Sequence, residues 1–110
     1  MDATRNLHIE TSSCGRDTYL VGECSTNGCD WCQSRIRLDD CLGDFGGRFQ
    51  WGGHDFTEDA KNIHFNPEEG GSRVPVLRAD LRDSVGRYLP NKDVNLAERI
   101  NNVNGRLEFH

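Results

Sequence analysis

The chain writes one stretch twice. Arg35 to Trp51, RIRLDDCLGDFGGRFQW, returns 58 positions later as Asp93 to Phe109, DVNLAERINNVNGRLEF. Ile36, Leu38, Leu42, Phe45, Phe49 and Trp51 fall on Val94, Leu96, Ile100, Val103, Leu107 and Phe109, and Gly47-Arg48 falls on Gly105-Arg106 as identities. With 35% of residues apolar, six such matches at one preset offset arise by chance roughly twice in a thousand. Thr4 to Ile9, TRNLHI, recurs as Ala60 to Phe65, AKNIHF, at offset 56, and Gly28 recurs as Gly86 at offset 58. The sequence therefore reads as a tandem duplication, about 4–59 and 60–110, with a two-residue insertion between Asn66 and Leu77. A repeat this short cannot bury its own apolar face, so both copies are expected to share one core.

At 110 residues the length fits one domain. There are 13 basic and 18 acidic residues, a net charge of −5. No basic stripe is present, which argues against nucleic acid as a partner. No apolar run reaches the length of a membrane span, so membrane insertion is not expected. The start, MDATRNLHIE, lacks a signal peptide's charged and apolar regions, so a cytoplasmic location is expected, with secretion by another route as the alternative. All five cysteines (14, 24, 29, 32 and 41) lie in the first copy. They cannot be a framework common to both copies, and most are expected to be free thiols.

Tyr19 to Cys24 and Val76 to Leu81 read as matched strands bounded by Gly and Pro. Turn-rich segments follow, Thr26-Asn27-Gly28 in the first copy and Asp83 to Asn91 in the second. Ile36-x-Leu38, Phe49-x-Trp51 and their copies alternate as half-buried strands do. Arg5-Asn6-Leu7 predicts a short helical turn before the first long strand. Thr57 predicts a helix cap beside Glu58 and Asp59. The three-residue spacing of Leu42 and Phe45 predicts a tight turn that tucks both inward. Trp51 to Asp55 reads as a short hinge between the copies. The fold class is all-β.

The pattern Ile36-x-Leu38, Leu42-x-x-Phe45-x-Gly47-x-Phe49-x-Trp51, repeated across nearly the whole chain, resembles the cyanovirin-N homology family of lectins. Phe49 to Glu58, FQWGGHDFTE, resembles the version in its fungal members. The resemblance implies an elongated, pseudo-two-fold all-β domain with strands exchanged between repeats and short helical turns. It implies non-catalytic binding of oligosaccharides or glycoproteins, often through terminal α-linked mannose or glucose disaccharides such as α1-2-linked mannose. It also implies a monomer, with a domain-swapped dimer as the alternative, and no cofactor. Two glycan sites follow from it. One joins Asn102, Val103 and Asn104 to Asp2 and Ala3 and to Ser25, Thr26, Asn27 and Gly28. The other joins Asp44, Phe45 and Gly46 to His54, Asp55, Glu58 and Asp59, with Ser84 and Val85.

Neutral sugars offer vicinal hydroxyls, which suit the donors and acceptors of Asn, Asp and tight turns. Asn and Asp are also what hairpin turns prefer for their own reasons. In the second site Gly46 stands where a side-chain ligand is usual, so that end is expected to bind weakly or not at all. The family's repeat-internal disulfides are absent: Cys24 has Thr4 in its mate's place, and Ala60 and Arg82 occupy the other pair.

Two rival functions need different chemistry. Cys29-Asp-Trp-Cys32 could serve as a redox pair or half of a zinc site, with Cys24 and Cys41 as further thiols, but no second CxxC accompanies it. A protein-interaction module without sugar binding is the other rival. Catalysis is not expected: Asp39-Asp40 and Glu68-Glu69 read as solvated turn carboxylates whose side chains diverge. His8 and His64 occupy equivalent repeat positions and read as structural.

Overall fold

The computed structural model describes residues 3–26 and 30–110. Each copy contributes a three-stranded antiparallel sheet and a hairpin. The first has β1 (Thr4–Thr11), β2 (Thr18–Ser25), β3 (Trp31–Arg37), β4 (Leu42–Phe45) and β5 (Arg48–Trp51). The second has β6 (Ala60–Glu69), β7 (Val74–Arg82), β8 (Tyr88–Asn95), β9 (Ile100–Val103) and β10 (Arg106–Phe109). Sheet orders are β1-β2-β3 and β6-β7-β8, with β4-β5 and β9-β10 as separate two-stranded sheets. The expected all-β class is thus seen directly.

The hairpins are exchanged. The Leu107 N–H of β10 donates to Ser34 Oγ of β3 at 3.1 Å. A Cβ placed on Gly105 would sit 2.9 Å from Thr26 Cγ2. Conversely, a Cβ on Gly47 would lie 2.5 Å from Leu89 Cδ1 of the second copy. At the centre Trp51 stacks on Phe109, ring centroids 5.8 Å apart. These two residues are repeat equivalents, as contact across a pseudo-two-fold axis requires. The body is elongated, 50 × 31 × 23 Å. A single core draws on both copies: Leu20, Leu38, Leu42 and Phe56 pack with Leu77, Val94, Leu96, Ile100 and Leu107.

Several local expectations are corrected. Residues 4–9 are strand throughout, not a helical turn. A bulge shifts register between Arg5 and His8, and between Lys61 and His64 in the copy. Asn6 and Asn62 take the strained positions, φ 56° and 55°, which Asn tolerates better than most residues. Their Nδ2 groups then donate across to Glu23 (2.6 Å) and Asp80 (2.7 Å). His8 and His64 each hydrogen-bond through Nδ1 to the Asn carbonyl two residues back. The duplicated Asn-x-His is therefore a bulge-forming device.

The tight turns sit at Leu38–Asp40 and Leu96–Glu98, not at Leu42 to Phe45. Leu42 is buried in β4, while Phe45 is 63% exposed. An odd separation along a strand puts the two on opposite faces. Thr57 does not cap. Asp55 stands at the start of the Phe56–Asp59 turn with φ 61°, and Thr57 is buried. Asp39, read as solvated, is fully buried, and Glu69 is a half-buried β6 residue paired with Arg78. The 51–55 segment is pinned, with Gly52 N–H donating to Cys41 O at 2.8 Å and Asp55 N–H to Asp39 O at 2.9 Å.

The insertion is split. Register gives offset 56 for Ile9 and Phe65, 57 for Leu20 and Leu77, and 58 for Ile36 and Val94. The second extra residue produces the shift between Ala79 and Leu81, opposite the Leu89–Lys92 segment that contains Asn91 at φ 54°. Cys24 therefore corresponds to buried Leu81, not to Arg82, and Thr4 does lie directly opposite Cys24.

Candidate functional site

Both hairpin tips are two-residue turns, Gly46-Gly47 and Asn104-Gly105, flanked by the pairs Phe45–Arg48 and Val103–Arg106. All four turn residues have positive φ: 61°, 89°, 49° and 92°. This is the signature of a type I′ hairpin, for which Asn-Gly and Gly-Gly are preferred. Asp44 and Asn102 are strand residues behind the tips.

Asn102 is a latch. Its Oδ1 accepts from Gly105 N–H at 2.8 Å, while Nδ2 donates to the carbonyls of Ala3 (3.1 Å) and Ser25 (3.0 Å). One side chain therefore fixes the β9–β10 tip to the start of β1 and the end of β2. Ser25 N–H donates to Ala3 O, and Thr26 N–H to Asp30 O. The structure thus brings Ala3, Ser25, Thr26 and Asn102 together beside the exposed Val103 and Asn104. Asp2, Asn27 and Gly28 lie outside the described residues.

Asp44 holds the equivalent place, its Oδ1 accepting from Gly47 N–H at 2.9 Å. Where Asn102 meets carbonyls, Asp44 meets a donor, the Arg82 backbone N–H. Burial pushes the Asp44 carboxyl above the ordinary carboxylate range; Asp59 nearby adds to this, while the hydrogen bonds and Arg82 oppose it. Asp59 is held by Arg82 at 2.5 Å. Phe45 and Gly46 are exposed at the tip, and a Cβ on Gly46 would meet nothing within 4 Å.

The other expected members of this end spread out. His54 and Asp55 flank Gly43, at the end of the hairpin away from the tip. The Asp55 carboxylate faces Arg37 at 3.6 Å. Glu58 is exposed on the 56–59 turn. Ser84 and Val85 ride the loop closed by Asp83, whose Oδ1 accepts from Val85 N–H (3.0 Å) and Arg87 N–H (2.9 Å). Asp83, Arg82 and Leu89 shape this end and were not anticipated. The only sequence signal was the Asp-Ser-Val-Gly run, which is typical of an Asx turn.

The metal reading gains no geometry, since no group of three or more candidate ligands occurs among the described residues. Cys24 and Cys32 face each other across β2 and β3, whereas Cys41 Sγ lies 3.5 Å from Leu38 O and Cys14 sits on the exposed 12–17 turn. Cys29 is outside the described residues.

The latch makes a testable demand. Asn102→Asp would aim a carboxylate at two carbonyls, with no donor left for either. We expect a loss of about 1–3 kcal/mol near neutral pH. The carboxyl's folded pKa should be raised, so stability should recover as pH falls and the protonated acid can donate again. Denaturant melts at pH 7 and pH 3.5 check this, and an equal loss at both would contradict it.

The CVNH domain family matches residues 2–108. A curated "Cyanovirin-N homolog" of Neurospora crassa is 46% identical over 91 residues, covering 83% of this chain and 81% of that protein. Among solved structures, a designed cyanovirin-N homolog lectin superimposes with TM-score 0.85 at 45% identity, covering 99% of this chain and 96% of the other. Microvirin, solved as a complex with mannobiose, shares the fold at TM-score 0.77 and 21% identity, covering 98% of this chain and 94% of its own. With its exchanged hairpins, pseudo-two-fold core and latched turns, the chain belongs to the CVNH family, the cyanovirin-N homologs.

Proposed function

We propose that this protein is a lectin that binds a terminal α-linked mannose or glucose disaccharide, such as α1-2-linked mannose, without chemical conversion. The observation that carries this reading is the latched β9–β10 tip. Asn102 spends its own donors and acceptor on Ala3, Ser25 and Gly105, so it holds a polar surface rigid instead of gripping the sugar itself. A surface fixed before binding loses little entropy when the ligand arrives. Exposed Val103 can lie against the apolar face of a sugar ring, with the polar groups of Asn104, Ser25 and Thr26 beside it to meet its hydroxyls. The mannobiose complex of microvirin and the designed lectin of the same family support the ligand class.

The β4–β5 end is the weaker site. Asp44 and Asp59 lie beside Arg82 there and Asp83 is spent on its own loop, so these carboxylates are committed to protein partners, and Gly46 brings no side chain. A missing hydrogen bond of that kind is worth about 0.5–1.5 kcal/mol, roughly three- to tenfold in affinity.

Amide shifts followed during titration with α1-2-mannobiose should move at Thr26 and at 102–104 and leave Asp44 to Gly47 still. Movement at neither end would overturn the lectin reading, and movement at Asp44 alone would reverse the ranking. Two substitutions sharpen the test because both fit the left-handed turn. Asn104→Gly should weaken binding about three- to tenfold with the fold intact. Gly46→Asn, placed in open space, should create or strengthen binding at the second end.

A further inference from the structure

Cys24 and Cys32 are directly opposite each other in the β2–β3 ladder. Opposed residues of antiparallel strands have Cα atoms about 4.5–5.5 Å apart and side chains on one face. A disulfide needs Cα atoms about 4.4–6.8 Å apart, a range within which the ladder spacing falls. The two thiols differ in access: Cys24 is fully buried in the shared core, and Cys32 is exposed. On its other side Cys24 faces Thr4, which offers no thiol. We propose that Cys24 and Cys32 form a reversible dithiol–disulfide pair, a modification site that staples the edge strand β3 to the central strand β2.

The placement gives the staple a consequence. Strand β3 is the edge of its sheet and carries the exchanged hairpin through Ser34 Oγ. Cys32 Sγ lies 3.8 Å from the Cβ position of Gly105, directly beneath the β9–β10 turn. Fixing β3 to β2 therefore fixes the platform on which the second copy's hairpin rests. Burial, with Cys32 close by, pushes the Cys24 thiol up, which suits the sheltered, later-reacting partner.

The chemistry balances with a low-molecular-weight disulfide such as oxidised glutathione as oxidant. The Cys32 thiolate attacks one sulfur, releases one thiol and becomes a mixed disulfide. Cys24 then loses its proton and attacks Cys32 Sγ, releasing the second thiol. Two protein thiols are oxidised and one small disulfide is reduced to two thiols.

The test is to treat the full chain with oxidised glutathione and map the cysteines by peptide mass spectrometry. We expect two of the five thiols to disappear, a peptide linking Cys24 to Cys32, a mass lower by two hydrogens and a raised thermal midpoint, all reversed by dithiothreitol. Cys32→Ser, at an exposed position, should fold but show neither the link nor the shift. Cys29→Ser should retain both. The proposal is overturned if the link runs to Cys29 or to a second chain, if Cys32 stops at the glutathione adduct, or if the midpoint does not change on linking.

Discussion

Residues 1–55 produced alone should remain unfolded, without a sharp thermal transition and without dispersed amide signals. The reason lies in the exchange. In that fragment the β1–β3 sheet loses the β9–β10 hairpin that rests on Ser34 and Thr26, and β4–β5 loses Leu89 beneath Gly47. Trp51 loses Phe109, the ring it stacks on. Phe56, fully buried in the intact protein, is missing, and Leu20, Leu38 and Leu42 lose Leu77, Leu96 and Ile100. A chain of about 50 residues buries too small a fraction of its surface to offset chain entropy even when its core is whole. Mixing the fragment with residues 56–110 should restore β structure, because each half supplies what the other lacks. A cooperative melt of the first fragment by itself would refute this.

Asp39→Ala should be strongly destabilising. Asp39 is fully buried and accepts three hydrogen bonds: from Thr18 N–H (2.8 Å), Thr57 N–H (2.9 Å) and Thr57 Oγ1 (2.8 Å). Thr18 Oγ1 and Thr57 Oγ1 are themselves 2.8 Å apart. The carboxylate thus ties the start of β2 to the segment that joins the two copies. Removing it strands two buried backbone donors, each costing about 1–3 kcal/mol, for a total of roughly 3 kcal/mol or more. The thermal midpoint should fall by roughly 10–20 °C. Ala97 occupies the corresponding place in the second copy, where Asn95 Oδ1 accepts from Ala97 N–H instead. Ala97→Gly should therefore be mild by comparison. Differential scanning calorimetry of the two variants decides it: a shift of under a few degrees for Asp39→Ala would show that the network carries no such load.

The sequence by itself determined what depends on local pattern. Apolar residues at matching offsets marked most of the shared core, Phe45 and Val103 at the exposed tips apart, since burial requires a side chain that repays its removal from water wherever the copies meet. Strands β2, β5, β7 and β10 followed from composition and alternation. Gly47 and Gly105 followed from the backbone conformation that a two-residue turn imposes. The two proposed glycan ends were legible only through the family resemblance, and their polar residues could equally have been turn formers. The tertiary structure decided how each of those residues is used. Asn102 became a latch because the carbonyls of Ala3 and Ser25 arrive beside it, and Asp44 met the Arg82 N–H instead. Asp39, adjacent in sequence to exposed Asp40, became a buried anchor. Asn6 and Asn62 took up bulges, and Cys24 met Cys32 across a ladder. Each of these outcomes depends on which groups a distant segment brings within about 3 Å, or directly opposite, and hydrogen bonds and side-chain pairs respond to that distance and not to spacing along the chain.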